Sequence, residues 1–280
     1  MNKINKLEKS KVEIISSIEA KHFESFRKKA LENINNEITI DGFRKGKVPE
    51  NILITKVGEM NILEEMAELA ISEAYPKILV EEKIDAIGRP EINITKIAKD
   101  NPLEFKVITA VIPEVKLADY KKIAKEEKGN NSNEKIEEAT EKEIDDAKWK
   151  KRIILSDKLI ESSSMDIPEV LIESEVKRIE AQFGDDVARM GVKIEDYLSH
   201  AKKTIEDLRK DWKPHAEKKA KLQLILNEIS KLEKIKLDEK ELEKEINHIL
   251  EHYKDADREQ VRVYAETVLM NEQVFRFLEN

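Results

Sequence analysis

The 280-residue chain contains no cysteine. Disulfides, thiolate nucleophiles and cysteine-ligated metals are therefore excluded from its chemistry. Glycine and proline are scarce, at seven of each, and aromatics make up only 5%. That scarcity speaks against a turn-rich barrel or sandwich and against one thick globular core. No run approaches the ~18 consecutive apolar residues that read as a membrane span. The first residues, Met1-Asn2-Lys3-Ile4-Asn5-Lys6, lead into charge and not into an apolar leader. The expected compartment is the cytoplasm, with no membrane partner.

What the chain has in abundance is charge: 39% Asp, Glu, Lys and Arg, with a formal net charge of -8. Such a composition favours long, solvated helices. The acidic balance argues against coating nucleic acid with the whole surface, while allowing one local basic contact. The length suggests two domains.

Apolar spacing organises the chain. Residues 12–18 predict a strand, 22–38 a helix through Phe23, Phe26, Ala30, Leu31 and Ile34, then helices over 50–57 and 61–83. Pro76 is a kink candidate in the last of these. Strands are expected over 91–98 and 103–111, joined by Asp100-Asn101-Pro102. Residues 118–142 hold little to bury and predict a mobile linker. The rest reads as helical. Asp166-Ile167-Pro168-Glu169 predicts a helix start with a capping box. Gly184 and Gly191 predict breaks, and two helices are expected over 194–210 and 212–232. Asp238 caps a further helix, and a last one runs over about 259–278. The expected domains are 1–117, α+β, and 143–280, mainly helical, in an elongated molecule.

Little of this resembles catalytic machinery. His248, Glu251 and His252 form an H-x-x-E-H pattern on a predicted helix, which a metalloprotease could use. The plainer reading is histidines on a charged helix, without a further acidic ligand. No phosphate-binding loop or nucleophile elbow is present. The segment Gly42-Phe43-Arg44-Lys45-Gly46-Lys47-Val48-Pro49 is different. Its glycines permit a tight protruding tip. Its cations suit phosphates and Phe43 suits an apolar pocket or a base. The competing reading is a solvated turn with Phe43 tucked into the core.

This segment resembles the signature loop of bacterial trigger factors, chaperones of the ribosomal exit tunnel. Residues 10–115 resemble that family's ribosome-binding domain, with Ile112-Pro113-Glu114-Val115 at its end. Met165-Asp166-Ile167-Pro168-Glu169-Val170-Leu171-Ile172 is similar to the opening of its helical domain, and the likeness continues through Asp196-Tyr197-Leu198 to Phe277-Leu278. The resemblance implies an ATP-independent, cofactor-free holdase. Gly42, Phe43, Arg44, Lys45, Gly46 and Lys47 would bind the large ribosomal subunit, both protein and rRNA. Phe183, Met190 and Met270 are candidate contacts to unfolded nascent chains, and a homodimer would form off the ribosome. The family's FKBP-like isomerase domain, of about 100 residues on ordinary domain sizes, has no room before Met165, so no catalytic or metal-binding residues are expected. The alternatives are a ribosome-independent holdase of the SurA type, a metalloprotease, and a helical scaffold with an inert loop.

Overall fold

The computed structural model describes residues 2–130 and 141–280. They form two compact units, Met1–Ile112 and Pro113–Asn280.

In the first unit, β1 (Lys3–Leu7) and β2 (Lys11–Ile18) form an antiparallel hairpin. Four helices follow: α1 (Ala20–Glu24), α2 (Arg27–Glu37), α3 (Glu50–Val57) and α4 (Glu59–Glu81). β3 (Ala86–Lys96) and β4 (Leu103–Val111) complete an antiparallel sheet of order β1-β2-β4-β3. Side chains alternate across a strand with period two. Accordingly Val12, Ile14 and Ile18 of β2, and Leu103, Phe105 and Val107 of β4, all point into one core. The register sets Ile14 opposite Val107. Phe23, Ala30, Ile62, Met66 and Ala67 close that core from the helices. The buried hydroxyl of Thr109 accepts a hydrogen bond from the Tyr75 hydroxyl at 3.0 Å, so that hydroxyl is not stranded.

Sequence pattern and structure part company at identifiable points. β1 is not among the predicted elements, because an edge strand with a mostly polar sequence is defined by its partner more than by its own pattern. The helix expected over 22–38 is two. The Ser25 hydroxyl donates to the His22 carbonyl at 2.6 Å, and the amides of Ser25 and Phe26 bond three residues back. α4 runs on through Pro76.

The second unit is helical: α5 (Tyr120–Asn130), α6 (Glu141–Ser162), α7 (Glu169–Arg189), α8 (Ile194–Ala201), α9 (Ile205–Leu232), α10 (Glu239–His252) and α11 (Arg258–Glu279). Its main core joins Ala124, Leu155, Leu159, Ile225, Ile229 and Val274. Two smaller cores pair α7 with α9 through Ile172, Val176 and Ala216, and α10 with α11 through Leu242, Ile246, Val261 and Ala265.

The segment expected to be a linker, 118–142, contains the helix α5, with Ala124 buried and Tyr120 and Ile123 packed beside it. Those three residues stand at helical spacing, enough to lay one narrow face on the core. Residues 131–140 of that segment lie outside the described residues. The N-cap position of the next helix falls at Pro168 and not at Asp166. The chain is still extended at Pro168 (ψ 141°), so α7 starts at Glu169. α7 continues past Gly184 to Arg189. The helices expected over 194–210 and 212–232 are also redrawn. α8 stops where Lys202 turns left-handed at φ 52°. α9 then starts at a reciprocal capping box between Thr204 and Asp207 and passes unbroken through Trp212 and Pro214.

Candidate functional site

The loop between α2 and α3 is built from two tight turns. The Phe43 amide donates to the Ile40 carbonyl at 3.1 Å, and the Lys47 amide to the Arg44 carbonyl at 2.9 Å. Each closes a four-residue turn whose third position has positive φ: 87° at Gly42 and 79° at Gly46. Type II turns demand that geometry, and glycine adopts it without steric penalty. The four-residue spacing of the glycines is therefore the spacing of two successive turns. Phe43, Arg44 and Lys45 are carried outward between them.

All three are exposed, as is Lys47, with Phe43 at 36%. Phe43 does not tuck into the core. Arg44, Lys45 and Lys47 form no ion pair among the described residues. The base of the loop is fixed. Val48 is buried, and α3 follows with Leu53 anchored in the interior. Asn35, in the last turn of α2, accepts from the Gly46 amide at its main-chain oxygen (2.9 Å). Its side chain accepts from the Val48 amide at 3.1 Å and donates to the Val48 carbonyl at 2.9 Å. Asn36 lies so close that a Cβ on Gly46 would stand 2.7 Å from its Oδ1. α2 itself is tied to α4 by a forked Arg27–Glu59 pair, at 2.6 and 3.0 Å, and by Asn33 donating to Glu65 at 2.8 Å. Sequence pattern pointed to the tip but not to Asn35, since an asparagine in a polar helical stretch carries no signal of a contact 13 positions away.

The other candidates scatter. Phe183 is half-buried in an aromatic trio, 5.2 Å from the Tyr197 ring and 5.3 Å from that of Trp212. Met270 is half-buried, its sulfur taking the Ser230 hydroxyl at 2.9 Å. Met190 is 68% exposed. More apolar surface is open elsewhere in the second unit. Trp149, at 66% exposure, and Ile153 lie on α6, and with Ile160, Leu222 and Phe275 they line a groove of about 450 Å³. Val263, Tyr264 and Val268 are exposed along α11. On α6 the exposed and buried apolar residues interleave, so sequence spacing does not separate them.

His248 and His252 meet edge to face, ring centroids 5.0 Å apart, both exposed. No cluster of three His, Cys, Asp or Glu among the described residues could hold a metal ion. No helix among them is long and apolar enough to cross a membrane.

Residues 1–148 match the family model described as bacterial trigger factor protein (TF), and residues 126–278 match that of its C-terminus. A trigger factor of Natranaerobius thermophilus is 33% identical over 140 residues, covering 50% of this chain and 30% of that relative. One from Moorella thermoacetica is 36% identical over 117 residues, covering 42% and 26%. These alignments thus span less than a third of the two relatives. A trigger factor of Carboxydothermus hydrogenoformans aligns over 395 positions, with 93% of this chain and 92% of that relative, at 23% identity. A solved structure described as "Promiscuous Substrate Recognition in Folding and Assembly Activities of the Trigger Factor Chaperone" superposes with a TM-score of 0.61. It covers 100% of this chain and 99% of that one at 16% identity, a likeness of fold. The two family models overlap at residues 126–148, leaving no stretch between them for an isomerase domain. With both halves under models of the same family, the protein belongs to the bacterial trigger factors.

Proposed function

We propose that the protein is an ATP-independent chaperone that docks at the ribosomal exit tunnel through residues 42–47 and holds emerging chains on its helical unit. The observation that carries this reading is the tip itself: exposed cations, without an ion pair among the described residues, beside a half-exposed phenylalanine on a loop fixed by two turns. Arg44, Lys45 and Lys47 would meet rRNA phosphates, and Phe43 would enter a pocket of a large-subunit protein. Phosphate pairing makes such docking salt-sensitive.

Holding requires apolar surface open to water. The groove at Trp149 and Ile153 and the stripe at Val263, Tyr264 and Val268 offer it. Patches of this kind engage unfolded segments weakly and without strict sequence demand. Met190 belongs to the open surface, whereas Phe183 and Met270 contribute to packing. Nothing in the reading requires a cofactor. Prolyl isomerase activity would be absent together with its domain.

Co-sedimentation with bacterial ribosomes tests the docking. Wild type is expected to pellet at low salt, and the triple variant Phe43→Ala, Arg44→Glu, Lys45→Glu to remain in the supernatant. Equal pelleting of the two would sink the role of the loop. A wild type that never pellets, yet suppresses aggregation, would instead be a ribosome-independent holdase.

A further inference from the structure

The clamp at the base of the loop is made by one residue. The last four carbonyls of a helix lack intrahelical partners. In α2 the orphan carbonyl of Asn35 is taken by the Gly46 amide at 2.9 Å. The side chain of the same residue then pairs with both main-chain groups of Val48, at 3.1 Å and 2.9 Å. A primary amide holds a donor and an acceptor on one rigid plane. It can therefore stand beside a backbone residue as a neighbouring strand would. Gly46 and Val48 flank Lys47, which closes the second turn, so these bonds fix where the Phe43-Arg44-Lys45 tip leaves the domain.

We infer that Asn35 is the positioning residue of the docking loop, holding it in one conformation before any partner arrives. The consequence for binding rests on the docking reading above. A loop ordered in advance loses less conformational freedom on binding than one ordered by its target. Asn35 lies outside the 42–47 tip, and its side-chain hydrogen bonds run to the loop's own backbone. It acts through the tip.

The test uses the whole chain, with Asn35→Ala and Asn35→Asp beside the control Asn33→Ala. Asn33 bonds to Glu65 of α4, not to the loop, so its loss loosens α2 alone. Hydrogen exchange is read at the Gly46 and Val48 amides and at the buried Leu53 and Ile62, together with the melting temperature and ribosome affinity. Asn35→Ala is expected to speed exchange at Val48 by about tenfold or more while Leu53 and Ile62 keep their protection. Affinity is expected to fall by about tenfold through lost pre-organisation. Asn35→Asp, which sets a carboxylate oxygen against the Val48 carbonyl, should behave alike, and Asn33→Ala should do neither.

Unchanged Val48 exchange in Asn35→Ala overturns the clamp, whether or not ribosomes bind. Faster exchange with wild-type affinity overturns the positioning role, and so does deprotection spread evenly over the first unit. Failure of the wild type to bind ribosomes defeats the docking reading and the positioning role with it. The exchange contrast would then still be visible in the free protein, which keeps the two failures apart.

Discussion

The hydroxyl of Tyr120 donates to a Glu233 carboxylate oxygen at 2.5 Å, joining α5 to the end of α9 across 113 positions of sequence. The carboxylate stabilises the protonated phenol and pushes its pKa from the ordinary 10.0 up to about 12. Because the folded value is the higher one, the stabilisation is whole below about pH 10 and is lost as pH rises towards about 12. Glu233→Gln should return one of the five tyrosines to ordinary titration. Alkaline difference absorbance of the two proteins would show it. Identical titration curves would mean that the bond does not persist in solution.

Gly42 and Gly46 look equivalent in sequence and should not behave so. Alanine at Gly42 meets nothing within 4 Å and suffers only the left-handed φ, a penalty of about 1 kcal/mol. Alanine at Gly46 suffers that and also the 2.7 Å approach to Asn36 Oδ1. Ribosome affinity should drop further for Gly46→Ala than for Gly42→Ala. Adding Asn36→Ala should recover part of the loss, and absence of any recovery would refute the contact.

The Arg27–Glu59 fork sets an acid limit on the first unit. The hydrogen bonds from Arg27 hold the Glu59 carboxyl below its ordinary value of 4.5. Its contribution is therefore complete above that pH and is lost as pH falls through the lower folded value. Both side chains are partly open to solvent, so the pair is worth about 1 kcal/mol or less and weakens with salt. Thermal melts from pH 6 to pH 3 should fall less steeply for Arg27→Gln than for wild type. Parallel curves would deny the coupling.

Client holding and helix packing should separate by mutation. Trp149→Ala with Ile153→Ala removes exposed apolar surface, so aggregation suppression should weaken severalfold while the melting temperature stays near wild type. Phe183→Ala breaks the contacts to Tyr197 and Trp212 and should lower stability by about 1–3 kcal/mol, since its ring is only half-buried. The opposite assignment of effects would return Phe183 to the client surface.

Much of this was legible before any coordinates. The strand over 103–111 announces itself by alternation through Leu103, Phe105, Val107 and Thr109, and the one over 12–18 by a short apolar-rich run. The glycines at positions 42 and 46 announced a tip. Other features need long-range information. β1 exists because β2 offers it an edge. α9 runs through Asp211 into a later part where Ala216, Ile225 and Ile229 are buried against distant partners, although the Thr204–Asp207 capping pattern was there to be read. Asn35 shows its role only when residues 46 and 48 arrive beside it. Trp149 and Leu159 share a helix whose apolar positions do not gather on one side.

The arm formed by α10 and α11 has a core of Leu242, Ile246, Val261 and Ala265, with Ile249, Leu250 and Leu269 half-covered beside it. So small an interior gives the hairpin little resistance to opening, and elements with few buried contacts are the first to exchange with water. Its amides should therefore lose protection ahead of those around Leu159 and Ile225. Each excursion bares fresh leucine and isoleucine next to the already exposed Val263 and Tyr264. The apolar area that this arm presents is then a fluctuating quantity, larger at higher temperature.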